Sequence, residues 1–297
     1  MKILVTGGTG FVGSNLVKSL VDEHEVTVVG CQTECKIPGI KKFLQLSLEG
    51  IDWRHVYGQD ICFHQAANND TLDEDQDEMW RANVYGPIKL FTTMASGGCK
   101  KFVYASSTAV YGNSPAPYVV GETAKEPLNA YGRSKKAFDE FAMKFAETKK
   151  VDVIGLRYCN IYGVGEEHKG HRRSYITQLI EQIAKGKAKL FKDGEQKRDW
   201  IYIKDVVAAN LAAARYEGSG IFNIGTGQPV TFNELVKIIG GDSCEAIYVD
   251  NPKEAAYQNH TECDISATKK ELGWSPKFHV QEGINDFVNE LRKNEAC

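Results

Sequence analysis

The sequence lacks long hydrophobic runs and lacks an excess of either charge. A membrane-spanning helix needs about 20 consecutive apolar residues, and no run in these 297 residues reaches that length, so we expect no membrane partner. Lys and Arg number 36 against 39 Asp and Glu, for a net charge of −3, which gives no electrostatic reason to expect a nucleic-acid partner. Met1 and Lys2 lead directly into an apolar segment, so we expect no signal peptide and a cytoplasmic location.

The 8 cysteines lack the paired spacing of a disulfide framework or a zinc site. Cys31 and Cys35 are close in sequence, but no second pair and no neighbouring histidine completes a zinc set. His168 and His171 also lack a third ligand at metal spacing. We therefore expect free thiols, as in a reducing compartment, and no bound metal.

The first half of the sequence contains a regular alternation of short apolar segments and helical patterns. Continuous β-branched segments are typical of parallel strands covered on both faces, and they occur at 2–6, 25–29, 61–65, 101–105 and 153–157. Helical patterns lie between them at 11–21, 79–95 and 131–148. This alternation predicts an α/β fold with a Rossmann-type doubly wound parallel sheet.

After the fifth strand the alternation ends, which predicts a smaller, discontinuous C-terminal substrate lobe. We assign 1–165 to a dinucleotide-binding domain, with 198–223 returning to it, and we assign 166–197 and 224–297 to the substrate lobe. A hairpin-like segment is predicted at 190–202.

Three glycines follow the first strand and open the first helix. Gly7 allows a sharp turn, Gly10 allows the backbone to approach a pyrophosphate, and Gly13 allows the helix to pack close to the strand. The amino terminus of the helix then faces the phosphates. In this strand–turn–helix context the glycines predict a bound dinucleotide.

The end of the second strand bears on which dinucleotide binds. Gly30 stands where an acidic residue usually holds the adenosine ribose. Without that carboxylate a 2′-phosphate is not repelled. Gln32 lies at the same strand end, and Lys36 could supply a positive partner. NADP is therefore favoured over NAD, although both stay open.

Tyr131 and Lys135 are one helical turn apart and share a helix face. The ammonium of Lys135 is expected to favour the phenolate form of Tyr131, while Ser107, at a strand end, can hydrogen-bond a substrate oxygen. Tyr85 and Lys89 have the same spacing without a preceding serine, so we assign them to ordinary helix packing. The set predicts proton transfer at a carbinol carbon.

With these motifs the chain resembles the extended short-chain dehydrogenase/reductase family, in the branch that modifies nucleotide-activated sugars. The resemblance spans the chain and includes Tyr104-Ala105-Ser106-Ser107, Val110-Tyr111-Gly112, Leu156-Arg157-Tyr158-Cys159-Asn160-Ile161-Tyr162-Gly163, Arg198-Asp199-Trp200-Ile201-Tyr202 and Phe222-Asn223-Ile224-Gly225-Thr226-Gly227. It implies catalysis by Ser107, Tyr131 and Lys135. It also places a set of residues near the cofactor: Gly7, Gly10, Phe11, Val12, Ala66, Asn83 and Asn160.

Glu167-His168-Lys169-Gly170 makes the chain similar to the ADP-glyceromanno-heptose 6-epimerase group within that branch. The resemblance implies that Lys169 is a second acid/base, acting on the sugar face opposite Tyr131. It implies a nucleotide-sugar substrate whose carbinol carbon is oxidised and then reduced on its other face. We also expect a homo-oligomer.

The candidate substrate contacts are Asn69, Thr71, Ser107, Asn160, His168, Arg198 and Tyr257. For Arg198 two interpretations stay open, namely an ion pair with the adjacent Asp199 or a guanidinium that binds the nucleotide diphosphate.

Two other functions are considered. A UDP-glucose 4-epimerase would use one tyrosine and have no need of Lys169. A non-catalytic cofactor-sensing module would bind the dinucleotide and convert no sugar. Retention of Ser107, Tyr131 and Lys135 argues against the second of these.

Overall fold

The structure is a computed structural model that describes residues 1–45, 53–71, 75–148, 150–242, 244–251 and 258–295. Its strands are β1 (Lys2–Thr6), β2 (Glu25–Gly30), β3 (Lys42–Gln45), β4 (Ile61–His64), β5 (Lys101–Ser107), β6 (Asp152–Tyr158), β7 (Asn160–Tyr162), β8 (Ala188–Phe191), β9 (Lys197–Arg198), β10 (Trp200–Tyr202), β11 (Gly220–Ile224), β12 (Val230–Thr231) and β13 (Ala246–Val249). Its α-helices are α1 (Phe11–Leu20), α2 (Gln76–Trp80), α3 (Gly86–Ser96), α4 (Ala130–Ala146), α5 (Tyr175–Ala184), α6 (Ile203–Arg215), α7 (Phe232–Gly240), α8 (Ser266–Leu272) and α9 (Val280–Glu295).

Seven strands form one parallel sheet in the order β11-β6-β5-β4-β1-β2-β3. The predicted Rossmann-type fold is confirmed. Side chains alternate across β1, so Ile3 and Val5 pack in one buried cluster with α1 and α6, whereas Leu4 packs in another with α3 and α4. Both faces of the sheet are therefore covered by helices, which explains why its strands are continuously apolar.

A buried polar network fixes α4 against the sheet. The Tyr104 hydroxyl on β5 donates to the Asp139 carboxylate on α4 at 3.0 Å, and Arg157 on β6 donates to Asp139 at 2.9 Å. Arg157 also donates to the Tyr111 hydroxyl at 2.8 Å. Each of these buried polar groups has a partner, so their hydrogen bonds offset the cost of desolvation and the network orients α4. It thereby sets the position of Tyr131 at the start of the same helix.

Two secondary-structure predictions differ from the structure. The helix predicted over 79–95 is divided by a π-helical turn at Arg81–Tyr85, with Pro87 in the first turn of α3. The hairpin predicted over 190–202 is wrong, because β8, β9 and β10 pair with β13, β12 and β7 rather than with one another. Pairing between segments distant in sequence leaves no local signal.

The short strand β3 was not predicted, and it pairs with β2 at the sheet edge. β11 joins the opposite edge, beside β6. The division into a dinucleotide-binding domain and a substrate lobe stays a prediction. In the part of the chain that the structure describes, no helix combines the length and apolar character needed to span a membrane.

Candidate active site

Part of the predicted site lies at the carboxyl edge of the parallel sheet. β1, β4 and β5 are adjacent, and they end at Thr6, His64 and Ser107. The strand order reverses between β1 and β4, because the chain continues to β2 on one side and to β5 on the other. In open parallel sheets such a reversal forms the crevice in which ligands bind.

The glycine loop has no room for side chains. Gly7 has φ +66°, and a Cβ there would lie 2.7 Å from the Ala66 backbone nitrogen. A Cβ on Gly13 would lie 2.1 Å from the Gly7 carbonyl oxygen, and one on Gly10 would lie 3.1 Å from the same oxygen. The amide of Gly10 donates to that oxygen at 2.8 Å. The loop is thus a tight turn on which α1 packs closely.

The loop and the start of α1 fit the pyrophosphate of a nicotinamide dinucleotide. Gly10 is the N-cap of α1 and offers no side-chain hydrogen bond to the helix. No acidic residue occurs in the first turn, whose residues all belong to the described part of the chain. The first backbone amides of α1 therefore have no carboxylate competing for them, and the helix dipole favours an anion there. Phe11 and Val12 begin the helix beside the loop.

Thr9 takes up the space beside Gly30. A Cβ on Gly30 would lie 2.2 Å from Thr9 Oγ1, and this hydroxyl donates to Gln32 Oε1. The end of β2 therefore presents uncharged polar groups. Lys36 pairs with Glu34 at 3.1 Å, and both side chains are exposed.

Ser107, Tyr131 and Lys135 are brought together by β5 and α4. Ser107 hydrogen-bonds Tyr131, and its Oγ also accepts from the amide of Ala109 at 3.1 Å. The Lys135 ammonium is buried, donates to the Ala105 carbonyl at 3.0 Å and lies 5.8 Å from the centroid of the Tyr131 ring. The predicted triad is thus one cluster at the sheet edge.

The pKa directions in this cluster differ from the sequence expectation. Burial raises the pKa of Tyr131, and the hydrogen bond with Ser107 acts in the opposite direction. Burial lowers the pKa of Lys135 to about 8, although the negative charge of Asp139 acts to raise it. The expected lowering of the Tyr131 pKa by Lys135 is not seen, because desolvation penalises the phenolate more than its neighbours stabilise it.

His64 was missed by the sequence reasoning. Its Nδ1 shares a hydrogen bond of 2.6 Å with the Thr6 hydroxyl. Burial, and then the nearby Lys135 charge, lower the pKa of His64 to about 3. A neutral imidazole thus lies between the glycine loop and the catalytic candidates. No motif marks it in the sequence, since only the pairing of β4 with β1 brings it there.

Asn83 lies in the π-helical turn and supports the loop after β4. Its amide donates to the Asn68 carbonyl at 2.8 Å and to the Ser134 hydroxyl at 3.0 Å, and its oxygen accepts from the Asn68 amide at 2.9 Å. Ala66, at the start of the same loop, donates to Thr6 Oγ1 at 3.5 Å and abuts Gly7. Asn83 thus joins this loop to α4.

A cavity of about 470 Å³ lies beside the triad. Four predicted substrate contacts line it: Asn69, Thr71, Asn160 and Arg198. Its aromatic walls, which the sequence reasoning did not assign to binding, are Tyr175, Phe191, Trp200 and Phe232. A volume of this size and a mixture of aromatic and polar walls suit a nucleotide-sized ligand.

The two interpretations of Arg198 can be compared in the structure. The Asp199 carboxylate accepts from the Thr226 amide at 2.7 Å and from the Gly227 amide at 3.0 Å. The Arg198 guanidinium lies 5.7 Å from the Phe232 ring centroid and lines the cavity. This placement favours the ligand-binding interpretation over the strand-edge ion pair.

Lys169 and His168 lie apart from the cavity lining, in the turn Glu167–Arg172. The Lys169 ammonium is 5.0 Å from the centroid of the Phe11 ring and 3.5 Å from Glu166 Oε1. His168 is exposed. Lys169 therefore lies beside the first residue of α1, whereas Tyr131 lies at the start of α4. Tyr257 lies outside the described residues.

Three buried potential metal ligands come within 4.8 Å of one another: Cys159, Asp199 and Cys263. Burial raises the pKa of both thiols. Four hydrogen bonds from Thr226, Gly227 and Cys263 already engage the Asp199 oxygens. The sequence-based expectation of no bound metal stays a prediction.

The sequence model of the NAD dependent epimerase/dehydratase family matches residues 3–225. The chain belongs to this family. The resemblance to nucleotide-sugar epimerases is confirmed by a 30% identity to the ADP-L-glycero-D-manno-heptose-6-epimerase of Thiobacillus denitrificans, which covers 97% of this chain and 98% of that protein.

Two solved structures of the family share the whole architecture. The Helicobacter pylori ADP-L-glycero-D-manno-heptose-6-epimerase superposes with a TM-score of 0.87 at 33% identity, over 98% of this chain and 96% of that one. The Thermotoga maritima UDP-glucose 4-epimerase superposes with a TM-score of 0.88 at 29% identity, over 99% and 100%. The first of these has the higher identity and the second the higher TM-score.

Proposed function

We propose that this protein is a nucleotide-sugar epimerase that inverts a carbinol carbon of an ADP-heptose. The observation that carries the proposal is the Ser107–Tyr131–Lys135 cluster beside the glycine loop, together with a Lys169 ammonium that lies over Phe11 at the first residue of α1. The family and the two heptose epimerases among its relatives support the same substrate class.

A two-base inversion without net oxidation uses a proton acceptor and a proton donor on opposite faces of the sugar. A bound nicotinamide dinucleotide supplies a hydride acceptor that can also return the hydride. Burial lowers the pKa of Lys169 and raises that of Tyr131. Lys169 is therefore suited to take the hydroxyl proton, and Tyr131 to give one after the ketone has turned. The reverse reaction exchanges their roles.

The cavity would hold the nucleotide part of the substrate. Arg198 offers a planar guanidinium, which suits bidentate contact with a diphosphate, and the aromatic walls offer flat apolar surfaces for a base. Asn69 and Thr71 line the cavity where the loop after β4 approaches the triad, and we place the sugar there.

The purified protein should invert an ADP-heptose without added cofactor, as followed by proton NMR of the anomeric and side-chain signals. UDP-glucose, incubated in parallel, should stay unchanged. Inversion of UDP-glucose alone would favour the 4-epimerase function. Dinucleotide binding without conversion of either sugar would favour a cofactor-sensing module. A homo-oligomer and a cytoplasmic location remain predictions.

Within this NAD dependent family we propose a preference for NADP, tightly bound. The end of β2 presents the Thr9–Gln32 pair in place of a carboxylate, so a 2′-phosphate meets no negative charge there. Because Lys36 is paired with Glu34, its attraction for a 2′-phosphate should be weaker than the sequence suggested.

Gln32→Glu should reverse this preference. The new carboxylate would repel a 2′-phosphate, so affinity for NADP⁺ should fall by roughly tenfold, or about 1.4 kcal/mol, while affinity for NAD⁺ changes little. Isothermal titration calorimetry on protein stripped of dinucleotide measures both. Equal losses for the two dinucleotides would show that Gln32 does not face the 2′ position.

A further inference from the structure

Glu166 is a buried carboxylate held against the start of α5. It is 2% exposed. Its Oε2 accepts from the Ser174 amide at 2.9 Å and from the Thr177 hydroxyl at 2.7 Å. Ser174 caps α5, so the carboxylate lies at the positive end of the helix dipole. One oxygen of Glu166 is thus fixed by two hydrogen bonds.

The other oxygen, Oε1, has no hydrogen-bond partner among the described residues. Its nearest cation is the Lys169 ammonium at 3.5 Å, which is slightly longer than a good hydrogen bond. A buried carboxylate oxygen without a partner raises the free energy of the folded state. The Lys169 ammonium therefore stabilises the Glu166 carboxylate, and the carboxylate stabilises the ammonium. The geometry makes Lys169 the counter-ion of Glu166.

The backbone on either side of this pair is also anchored. The Asn15 side chain on α1 donates to the Val164 carbonyl at 2.9 Å, and the Lys169 amide donates to the Glu166 carbonyl at 2.9 Å. Gly170 then turns the chain with φ +56°. The segment is therefore tied to α1 at one end and, through Glu166, to α5 at the other.

We propose that Glu166 is the positioning residue of Lys169, holding its ammonium above Phe11 at the edge of the candidate active site. This inference rests on the proposed function, in which Lys169 is the second acid/base. Glu166 is not itself among the residues that line the cavity, although its carboxylate accepts from the amide of Ser174, which does line it. It acts through Lys169, and it links that lysine to the helix whose first residues, Ser174 and Tyr175, line the cavity.

The electrostatic consequence has a definite sign. Burial lowers the pKa of Lys169, Glu166 raises it, and Arg172 lowers it further. The first turn of α1, packed against this segment, contributes the uncharged Phe11, Ser14 and Asn15. Removal of the Glu166 charge should therefore lower the pKa of Lys169, and any pH limb that depends on Lys169 should move to lower pH.

Glu166→Gln tests the proposal with little change in shape. The glutamine oxygen can still accept from Ser174 and Thr177, while its amide would face the ammonium. The pKa of Lys169 should fall by roughly 1 pH unit, and the limb of the pH–rate profile that depends on Lys169 should move to lower pH by the same amount. Carbon-13 NMR of labelled lysine side chains measures the pKa, with the signal assigned by its loss in Lys169→Met.

Glu167→Gln is the matched control. It removes the same charge from the adjacent, exposed residue, so the pKa of Lys169 and the pH–rate profile should stay as in the wild type. An unchanged Lys169 pKa in Glu166→Gln, with the fold intact by thermal unfolding, would overturn the proposal. If Glu166→Gln unfolds, Thr177→Val is the second test, because it keeps both charges and removes one hydrogen bond to Glu166. It should lower kcat while KM stays constant. An unchanged kcat would overturn the proposal.

The two hypotheses fail in different ways. The NMR titration needs no sugar, so a shifted pKa without any inversion of ADP-heptose would reject the proposed function and keep the Glu166–Lys169 coupling. Inversion that requires Lys169 but is indifferent to Glu166→Gln would keep the function and reject the positioning role.

Discussion

Tyr131→Phe should reduce epimerisation of the ADP-heptose by roughly 10²- to 10⁴-fold, the usual range for loss of a general acid/base. Phenylalanine keeps the aromatic ring at the start of α4 and removes the hydroxyl that Ser107 contacts. Proton NMR of the sugar measures the loss. With enzyme in stoichiometric amount, one epimer should still yield the ketone, because its hydroxyl faces Lys169, and the other epimer should not.

Tyr85→Phe is the control for this experiment. Tyr85 shares the four-residue spacing to a lysine, is assigned to ordinary helix packing, and is 60% exposed. Its loss should leave the rate unchanged. Wild-type inversion in Tyr131→Phe, with dinucleotide still bound, would remove Tyr131 from the mechanism.

Lys169→Met should reduce inversion by a similar factor, roughly 10²- to 10⁴-fold, and with the opposite selectivity. The epimer that faces Tyr131 should still yield the ketone in the stoichiometric experiment, whereas the other should stay unreacted. Methionine keeps an unbranched side chain above Phe11 without the ammonium. The two variants thus divide the reaction into complementary halves, and the same NMR signals report both.

Lys185→Met, at the exposed end of α5, is the matched lysine control and should behave as the wild type. Normal inversion in Lys169→Met would contradict a two-base mechanism and favour the single-tyrosine chemistry of a hexose 4-epimerase. Loss of dinucleotide binding in Lys169→Met would instead indicate that the lysine serves the cofactor phosphates near α1.

The sheet and the glycine loop could be predicted because their causes are local. Apolar runs specify buried parallel strands. The positive φ of Gly7 and the contact between Gly13 and the Gly7 carbonyl both arise within one strand–turn–helix unit. The order of Ser107 and Tyr131 in the chain also placed β5 before α4. These features depend on residues that are neighbours in sequence or in adjacent elements.

The features that could not be predicted depend on distant segments. His64 becomes a buried neutral group only because β4 pairs with β1. The aromatic wall at Phe232 and the pairing of β8 with β13 both depend on segments that follow β11 in the chain. The direction of the Tyr131 pKa was also missed, since desolvation depends on the complete packing around the phenol.

The contact between Thr9 and Gly30 limits how the proposed preference for NADP could be changed by mutation. An acidic side chain at position 30 would begin with a Cβ only 2.2 Å from Thr9 Oγ1, so that single replacement disturbs the loop before it can contact a ribose. Shortening Thr9 first would open the space. The two changes are therefore coupled, and an evolutionary or engineered path toward an NAD-type strand end is open in one order of steps and obstructed in the other.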